Sequence, residues 1–135
     1  MFKSNKTKAL IVGLPLLAFS ACTSSDPSDT EKQIYKDISK GNFDDAIKYV
    51  YIGKISGKDA QDQKIEASDK LKSVMAGSRQ NMQSHGGLKT IEILNKAITG
   101  NNAQVSYRLI FNDGTSQNAT DSLIKTDGRW KVVVH

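Results

Sequence analysis

The hydrophobic spacing changes abruptly at Gly86-Gly87, and this change restricts the chain to a fold in which helices are followed by strands. Before the two glycines, apolar residues recur every three or four positions, as they do in amphipathic helices. After them, apolar and polar residues alternate, most clearly over residues 103–111, as they do in half-buried strands. This order predicts an α+β domain in which helices pack on one face of an antiparallel sheet.

The first predicted helix follows a short polar stretch. Asp29 or Thr30 is expected to cap it, because small polar side chains accept hydrogen bonds from the free N–H groups of a helix start. Glu31 falls in its first turn, where the helix dipole favours negative charge. Lys40-Gly41 is expected to end it, since glycine readily adopts the left-handed conformation of a helix stop.

Two more helices are predicted before the glycine pair. Asn42 is expected to cap the second, whose apolar residues continue to Val50. The third covers about residues 59–84 and carries two methionines, which we interpret as core residues rather than as a ligand-binding stripe. The apolar stripe of this third helix consists of Ala67, Leu71, Val74, Met75, Ser78 and Met82.

Four antiparallel strands are predicted after the glycine pair. They cover residues 88–98, 103–111, 115–126 and 130–134. Hairpin signals separate the last three strands, namely Asn112-Asp113-Gly114 and Asp127-Gly128. The fold class is therefore α+β, with N-terminal helices packed on a curved, four-stranded antiparallel sheet.

The inward face of the third strand depends on the lengths of the two loops beside it. A three-residue first loop and a two-residue Asp127-Gly128 loop would turn Asp121 and Leu123 inward. The reverse choice would turn a different set inward, because a slip of one residue exchanges the two faces of a strand. That set is Thr120, Ser122 and Ile124. The sequence leaves both registers open.

An inward Asp121 would lie near Tyr107, which shares a face with the apolar residues of its strand. Burial would make such a carboxylate a stronger base, which suits proton abstraction. The candidate pocket lining is Tyr107, Leu109, Asp121 and Trp130. No catalytic set is complete in the sequence.

The two histidines do not indicate a metal site. His85 is expected to end the third helix, where a cationic ring is favourable, and His135 is the last residue. With the two so far apart and no free thiol expected, we predict neither a metal nor a cofactor.

The N-terminal segment is typical of an export signal. Lys3, Lys6 and Lys8 precede the uncharged run Ala9–Phe19. Eleven helical residues rise only about 16 Å, whereas the apolar part of a bilayer is roughly 30 Å thick. A basic start and a short apolar run therefore predict a secretory signal over residues 1–21.

The end of this segment resembles a bacterial lipobox. Phe19-Ser20-Ala21-Cys22 places two small residues before the only cysteine of the chain. The resemblance implies cleavage before Cys22, a diacylglycerol thioether on its sulfur and an acyl chain on the new N-terminus. Two or more chains hold a protein firmly to a membrane. Thr23, in place of an aspartate, favours the outer membrane, and residues 22–29 would form a flexible linker before the domain at 30–135.

Removal of the signal changes the charge balance. The whole chain has a net charge of +5. Without the three signal lysines, it has 16 basic and 14 acidic side chains, which is a net charge of +2. Nucleic-acid binding requires a dense positive surface, so we do not expect a nucleic-acid partner.

Three segments resemble small bacterial lipoproteins with a nuclear transport factor 2-like (NTF2-like, or cystatin-like) domain of unknown function. They are Lys40-Gly41-Asn42-Phe43-Asp44-Asp45-Ala46, His85-Gly86-Gly87-Leu88-Lys89, and Asp113-Gly114 together with Leu123 to Val132. The resemblance covers nearly the whole mature chain and implies a cone-shaped fold and a lipid anchor. It implies no reaction, although some members of the superfamily are isomerases or dehydratases.

Binding is the function that the sequence favours. We expect a lipid-anchored envelope protein that binds an envelope protein, a peptide or a small apolar ligand through the mouth of the cone or the exposed sheet. The alternative is an isomerase- or hydrolase-like enzyme that uses Asp121 and Tyr107. A third hypothesis is a tethered spacer without a pocket. The sequence leaves the oligomeric state open.

Overall fold

Helices and strands follow the order that the hydrophobic spacing predicts, with one additional short strand. The computed structural model describes residues 26–53, 57 and 59–134. The predictions for the signal segment, for Cys22 and for His135 lie outside these residues. In chain order, the elements are α1 (Pro27–Lys40), α2 (Phe43–Ile47), β1 (Val50–Tyr51), α3 (Ala60–Ser84), β2 (Leu88–Thr99), β3 (Asn102–Phe111), β4 (Ser116–Thr126) and β5 (Arg129–Val133).

The described strands form one five-stranded sheet in the order β1-β5-β4-β3-β2. Strands β2 to β5 are the predicted antiparallel meander, whereas β1 is an extra strand that runs parallel to β5. Val50, predicted in the second helix, pairs instead with Val132. The prediction of four strands was wrong because a two-residue strand is too short to show an alternating pattern.

Strand β2 contains two irregularities that bend the sheet. Its pairing with β3 shifts register between Leu88 and Thr90, and again between Ile93 and Asn95. An extra residue at a bulge locally increases the twist and bends the strand. The sheet is therefore curved, and the helices pack on one face of it.

Helix α1 begins earlier than the sequence predicts. Asp26 is the capping residue, and its Oδ1 accepts a hydrogen bond from the Ser28 N–H at 2.9 Å. Pro27 occupies the first turn, where its missing N–H is not needed. Residues 27–29, expected in the linker, are thus helical, and neither Asp29 nor Thr30 is the cap. The predicted end is confirmed, since Gly41 has a φ of 80°.

Helix α3 has almost the predicted bounds but a narrower buried face. Met75 and Met82 are its buried residues and belong to the core, as predicted. Val74, placed on the predicted stripe, is 69% exposed. Successive helical residues point about 100° apart, so a helix that packs along one narrow face buries Met75 and exposes its neighbour. His85 is the C-terminal cap of α3, as expected.

The core lies between the helices and one face of the sheet. Alternate residues of β3 are buried, from Ala103 to Phe111, as the sequence predicts. Ile34 and Ile38 of α1 pack against this face together with the α3 methionines. Among the described helices, none combines the length and apolar character needed to cross a bilayer.

Candidate functional site

The structure decides the register of β4 and places Asp121 on the face that the helices cover. Asp121 pairs with Val105, and Thr126 pairs with Arg129 across the two-residue loop. The Phe111 N–H donates to the Thr115 carbonyl at 2.9 Å, which closes a three-residue loop between β3 and β4. The first of the two registers left open by the sequence is therefore present. In the other register, Thr120, Ser122 and Ile124 would face inward.

Two tyrosines connect α1 to this carboxylate. Tyr107 Oη donates to Asp121 Oδ2 at 2.9 Å. Because that proton is used, Tyr35 Oη donates to Tyr107 Oη at 2.8 Å, and the two ring centroids are 5.4 Å apart. Tyr107 is 1% exposed, and burial raises its pKa above the usual value. The site thus contains a chain of hydroxyl donors that ends on Asp121.

Glu31 is the fourth member of the site, and its side chain is 0% exposed. Burial, followed by the negative charge of the neighbouring Asp121, raises the pKa of Glu31 to about 9. Among the described residues, the Glu31 oxygens are the buried side-chain atoms that lack a hydrogen-bond partner. Two ionised carboxylates cannot form a hydrogen bond with each other, because neither carries a proton to donate.

A single shared proton explains this arrangement. Protonated Glu31 can donate to Asp121, which then accepts from two sides. The pair carries one negative charge instead of two, which is much less costly in a buried place. We call Glu31, Tyr35, Tyr107 and Asp121 the carboxyl–tyrosine cluster. Chemically, it can hold or move a proton between two carboxyl groups.

Glu31 is not among the site residues predicted from the sequence, although the sequence contains a signal for it. Glu31 lies three residues before Ile34 and seven before Ile38, and therefore falls on the apolar stripe of α1. The sequence pattern predicts it instead as a residue of the first turn, where the helix dipole favours negative charge. That prediction was wrong, because the helix begins at Pro27, so that Glu31 lies beyond the first turn, and the Glu31 carboxyl is buried.

The other two candidate pocket residues belong to the core. Leu109 and Trp130 are buried among the apolar residues that connect the sheet to the helices. The Trp130 carbonyl accepts a hydrogen bond from the buried Thr30 hydroxyl at 3.2 Å, and Lys125 Nζ lies 5.9 Å from the centre of the Trp130 ring. Around Tyr107, the described interior is therefore packed with side chains.

A groove of about 510 Å³ lies mainly on the opposite, outer face of the sheet. Its apolar part includes Tyr51, Ala97, Ile124 and Val133, which are exposed or half-buried. The hydroxyl groups of Thr99 and Ser122 and the amide groups of Asn102 and Gln104 also line the groove. The remaining lining residues are Ala103 and Leu123.

His85 joins the end of α3 to the β3–β4 loop. Its Nδ1 lies 2.9 Å from Asp113 Oδ2 and 3.2 Å from Thr115 Oγ1, and its ring stacks on Phe111. The Thr115 hydroxyl donates to Asp113 Oδ1 at 2.5 Å. Hydrogen bonds from Thr115 and His85 lower the pKa of Asp113 to about 2. Because Asp113 and Thr115 contact the same ring nitrogen, this group lacks the relay geometry of a catalytic triad.

Most of the chain matches the model of one protein family. Residues 20–133 match a domain of unknown function, DUF4878. The chain belongs to this family. A search of curated proteins gives no significant match.

Solved structures confirm the NTF2-like fold that the sequence resemblance implied. A crystal structure from Campylobacter jejuni, provisionally assigned as an NTF2-like transpeptidase, is 27% identical with a TM-score of 0.72. The alignment covers 82% of this chain and 100% of that one. A SEC-C motif containing protein from Rhodopseudomonas palustris is 18% identical with a TM-score of 0.53, over 85% of this chain and 82% of that one. The domain is thus an NTF2-like domain of unknown function.

Proposed function

We propose that this protein is a lipid-anchored component of the bacterial envelope whose NTF2-like domain binds a peptide in the groove on its outer sheet face. The anchor rests on the basic start, the short apolar run and the Phe19-Ser20-Ala21-Cys22 sequence. The binding role rests on the groove.

The groove is the observation that carries the binding proposal. The interior around Tyr107 is packed, so a ligand has more room on the outer face. Ligand sites combine apolar walls with a few polar groups that fix orientation, and the groove has both. Amide and hydroxyl groups such as those of Gln104 and Ser122 suit a peptide backbone, while Ile124 and Val133 suit its apolar side chains.

Mass spectrometry of the native protein tests the anchor. The mature N-terminus is expected at Cys22, with a mass increase for a diacylglycerol thioether and an N-acyl chain. A Cys22→Ser variant is the control and should leave the membrane fraction. A native protein that begins upstream of Cys22, or has an unmodified thiol there, contradicts this part of the proposal.

Site-specific crosslinking in cells tests the groove. A photoreactive residue at Ser122, in the groove, is expected to crosslink an envelope peptide or protein segment. The same residue at Ser116, which is exposed on the same strand outside the groove, is the matched control. Equal crosslinking from both positions, or none from Ser122, contradicts a peptide site in the groove.

A second candidate function is a proton-transfer enzyme, and the carboxyl–tyrosine cluster favours it. Asp121 would act as the base, while Tyr107 and Glu31 would stabilise charge on the substrate. The burial of Glu31 and Tyr107 means that a substrate must first open the site. Turnover of an envelope metabolite that Asp121→Asn abolishes and Ser116→Ala retains would favour this candidate over binding.

The transpeptidase assignment of the Campylobacter neighbour is not part of our proposal. Transfer through an acyl-enzyme requires a nucleophile that an adjacent base activates. Near the described histidine, the Thr115 hydroxyl donates to Asp113 instead of to a free ring nitrogen. The described geometry therefore favours peptide binding over peptide transfer.

A further inference from the structure

Two turns lie side by side at one end of the sheet. The β2–β3 turn covers residues 99–102, and the β4–β5 turn covers residues 126–129. The N–H of Lys125, the residue just before the β4–β5 turn, donates to the Asn101 carbonyl of the β2–β3 turn at 2.8 Å. We call these two segments, together with the flanking residues Ile98 and Lys125, the turn end of the domain.

Helix α1 begins at the same end. Lys96, three residues before the β2–β3 turn, donates to Asp26 Oδ2 at 2.8 Å. One helical turn later, Thr30 donates to the carbonyl of Trp130, the residue that follows the β4–β5 turn. These two contacts fix the first turn of α1, and hence the point where the chain enters the domain, at the turn end.

The β3–β4 loop lies at the opposite end. Strand β3 has ten residues, which span roughly 33 Å between the two ends. At the far end, the loop binds the C-terminus of α3 through His85 and Asp113. The C-terminus of α1 also lies toward this end, where its residues Lys36 and Ser39 share a groove with the start of β2.

The length of chain before Asp26 limits how the domain can sit on a membrane. Only three residues separate Asp26 from Cys22. At 3.3–3.6 Å per residue, this segment reaches at most about 14 Å. Such a tether is shorter than the domain, so the end at which it enters must remain close to the lipid that holds Cys22.

We propose that the turn end is the membrane-facing surface of the domain and rests on the phospholipid headgroups of the leaflet that contains the Cys22 lipid. The inference rests on the proposed lipid anchor. The far end, with the His85 contact, points away from the bilayer. The outer-face groove, which runs beside the turn end, opens near the membrane surface.

The surface chemistry of the turn end suits headgroups. Arg129 is exposed and Lys125 half-buried, and both offer donors to lipid phosphates, while Ile98 is 50% exposed. Asp127 and the paired Asp26 offset part of the positive charge. The anchor, rather than strong electrostatic attraction, therefore holds this end to the bilayer.

Energy transfer to a membrane acceptor tests the orientation. The full lipidated protein is reconstituted in vesicles of phosphatidylethanolamine and phosphatidylglycerol that contain a lipid-bound acceptor dye. A donor dye is attached to Asn101→Cys, at the turn end, or to Ser116→Cys, at the far end. Because the ends lie roughly 30 Å apart, transfer from position 101 should be at least about twofold stronger. Equal transfer, or stronger transfer from position 116, overturns the proposal.

Wild-type protein labelled in parallel separates the two inferences. A lipidated Cys22 has no free thiol and is the only native cysteine, so wild type should take up no dye. Labelled wild type overturns the anchor and, with it, the orientation. Unlabelled wild type together with equal transfer from both positions overturns the orientation alone.

Discussion

Glu31 shows how one residue determines the electrostatics of the interior. Its carboxyl group is buried beside Asp121, and its pKa is raised from 4.5 to about 9. At neutral pH, the folded protein therefore holds a proton that the unfolded chain releases. Keeping this proton reduces the free energy of unfolding at neutral pH relative to mildly acidic pH.

Replacement of Glu31 by glutamine should stabilise the protein at neutral and alkaline pH. The amide is always neutral, has nearly the same shape and can still donate to Asp121. The free energy of unfolding at about pH 8 should rise by up to about 5 kcal/mol, because pH 8 lies about 3.5 units above the ordinary pKa of 4.5 and each unit corresponds to about 1.4 kcal/mol. Urea unfolding measures it. Glu66→Gln, an exposed position on α3, is the control, and a destabilised Glu31→Gln would contradict the shared proton.

Removal of the Tyr107 hydroxyl should destabilise the domain. Tyr107→Phe keeps the ring in the core but deprives Asp121 of a donor and Tyr35 of an acceptor. The expected loss is about 1 to 3 kcal/mol, the cost of unpaired buried polar groups. Thermal and urea unfolding compare this variant with Tyr49→Phe, a half-buried tyrosine that packs against the same core. An equal effect in both variants would show that the cluster adds no stability.

At the scale of elements, Asp26 connects helix α1 to strand β2. It caps the helix and accepts from Lys96 at 2.8 Å. Partial burial raises its pKa, but the hydrogen bonds from Lys96 and Ser28 outweigh this effect and lower the pKa to about 2. One carboxylate thus sets both the start of α1 and its position over the sheet.

Asp26→Ala should destabilise α1 and loosen its contact with β2. The loss of the cap costs about 1 kcal/mol in typical proteins. Amide hydrogen exchange should increase most in the first turn of α1, because those N–H groups lose their acceptor. Asp29→Ala, an exposed acidic residue of the same turn, is the matched control. If both variants exchange alike, Asp26 is not the cap that orients α1.

At the scale of the whole molecule, the shifted pKa values determine how stability depends on pH. Because folding raises the pKa of Glu31, this group does not reduce the free energy of unfolding below about pH 4.5. Between about pH 4.5 and pH 9, it reduces the free energy of unfolding progressively. The pKa values of Asp26 and Asp113, lowered from 3.8 to about 2, act in the opposite sense, so that their contributions are lost as the pH falls below 3.8. The free energy of unfolding is therefore highest at pH values above the range in which Asp26 and Asp113 become protonated and below the range in which the unfolded chain releases the Glu31 proton.

The free energy of unfolding should therefore peak near pH 4 to 5 and fall toward alkaline pH. The slope between about pH 5 and pH 8 should approach 1.4 kcal/mol per pH unit, the value for uptake of one proton on folding. Urea unfolding at a series of pH values measures it, and Glu31→Gln should flatten the slope. A flat profile in the wild type would contradict a neutral Glu31 in the folded protein.

Sequence patterns were sufficient for the long elements of the fold. Alternation over β3 and the three-and-four spacing of α3 are repeated over many residues, so each predicts its element from local information. The same patterns failed for β1 and for the start of α1. A two-residue strand exists only because Val50 finds Val132, and the helix start depends on a cap that also binds Lys96.

The amino-acid sequence alone determined the order of helices and strands, the turns and the core face of β3, because these depend on neighbours along the chain. Only the tertiary structure decided that Asp121 faces inward and that Glu31 is buried beside it. The register of β4 follows from loop closure, and the carboxyl pair joins residues 90 positions apart. Proton sharing requires that two distant carboxyls lie together in a buried place, and no local pattern encodes that distance.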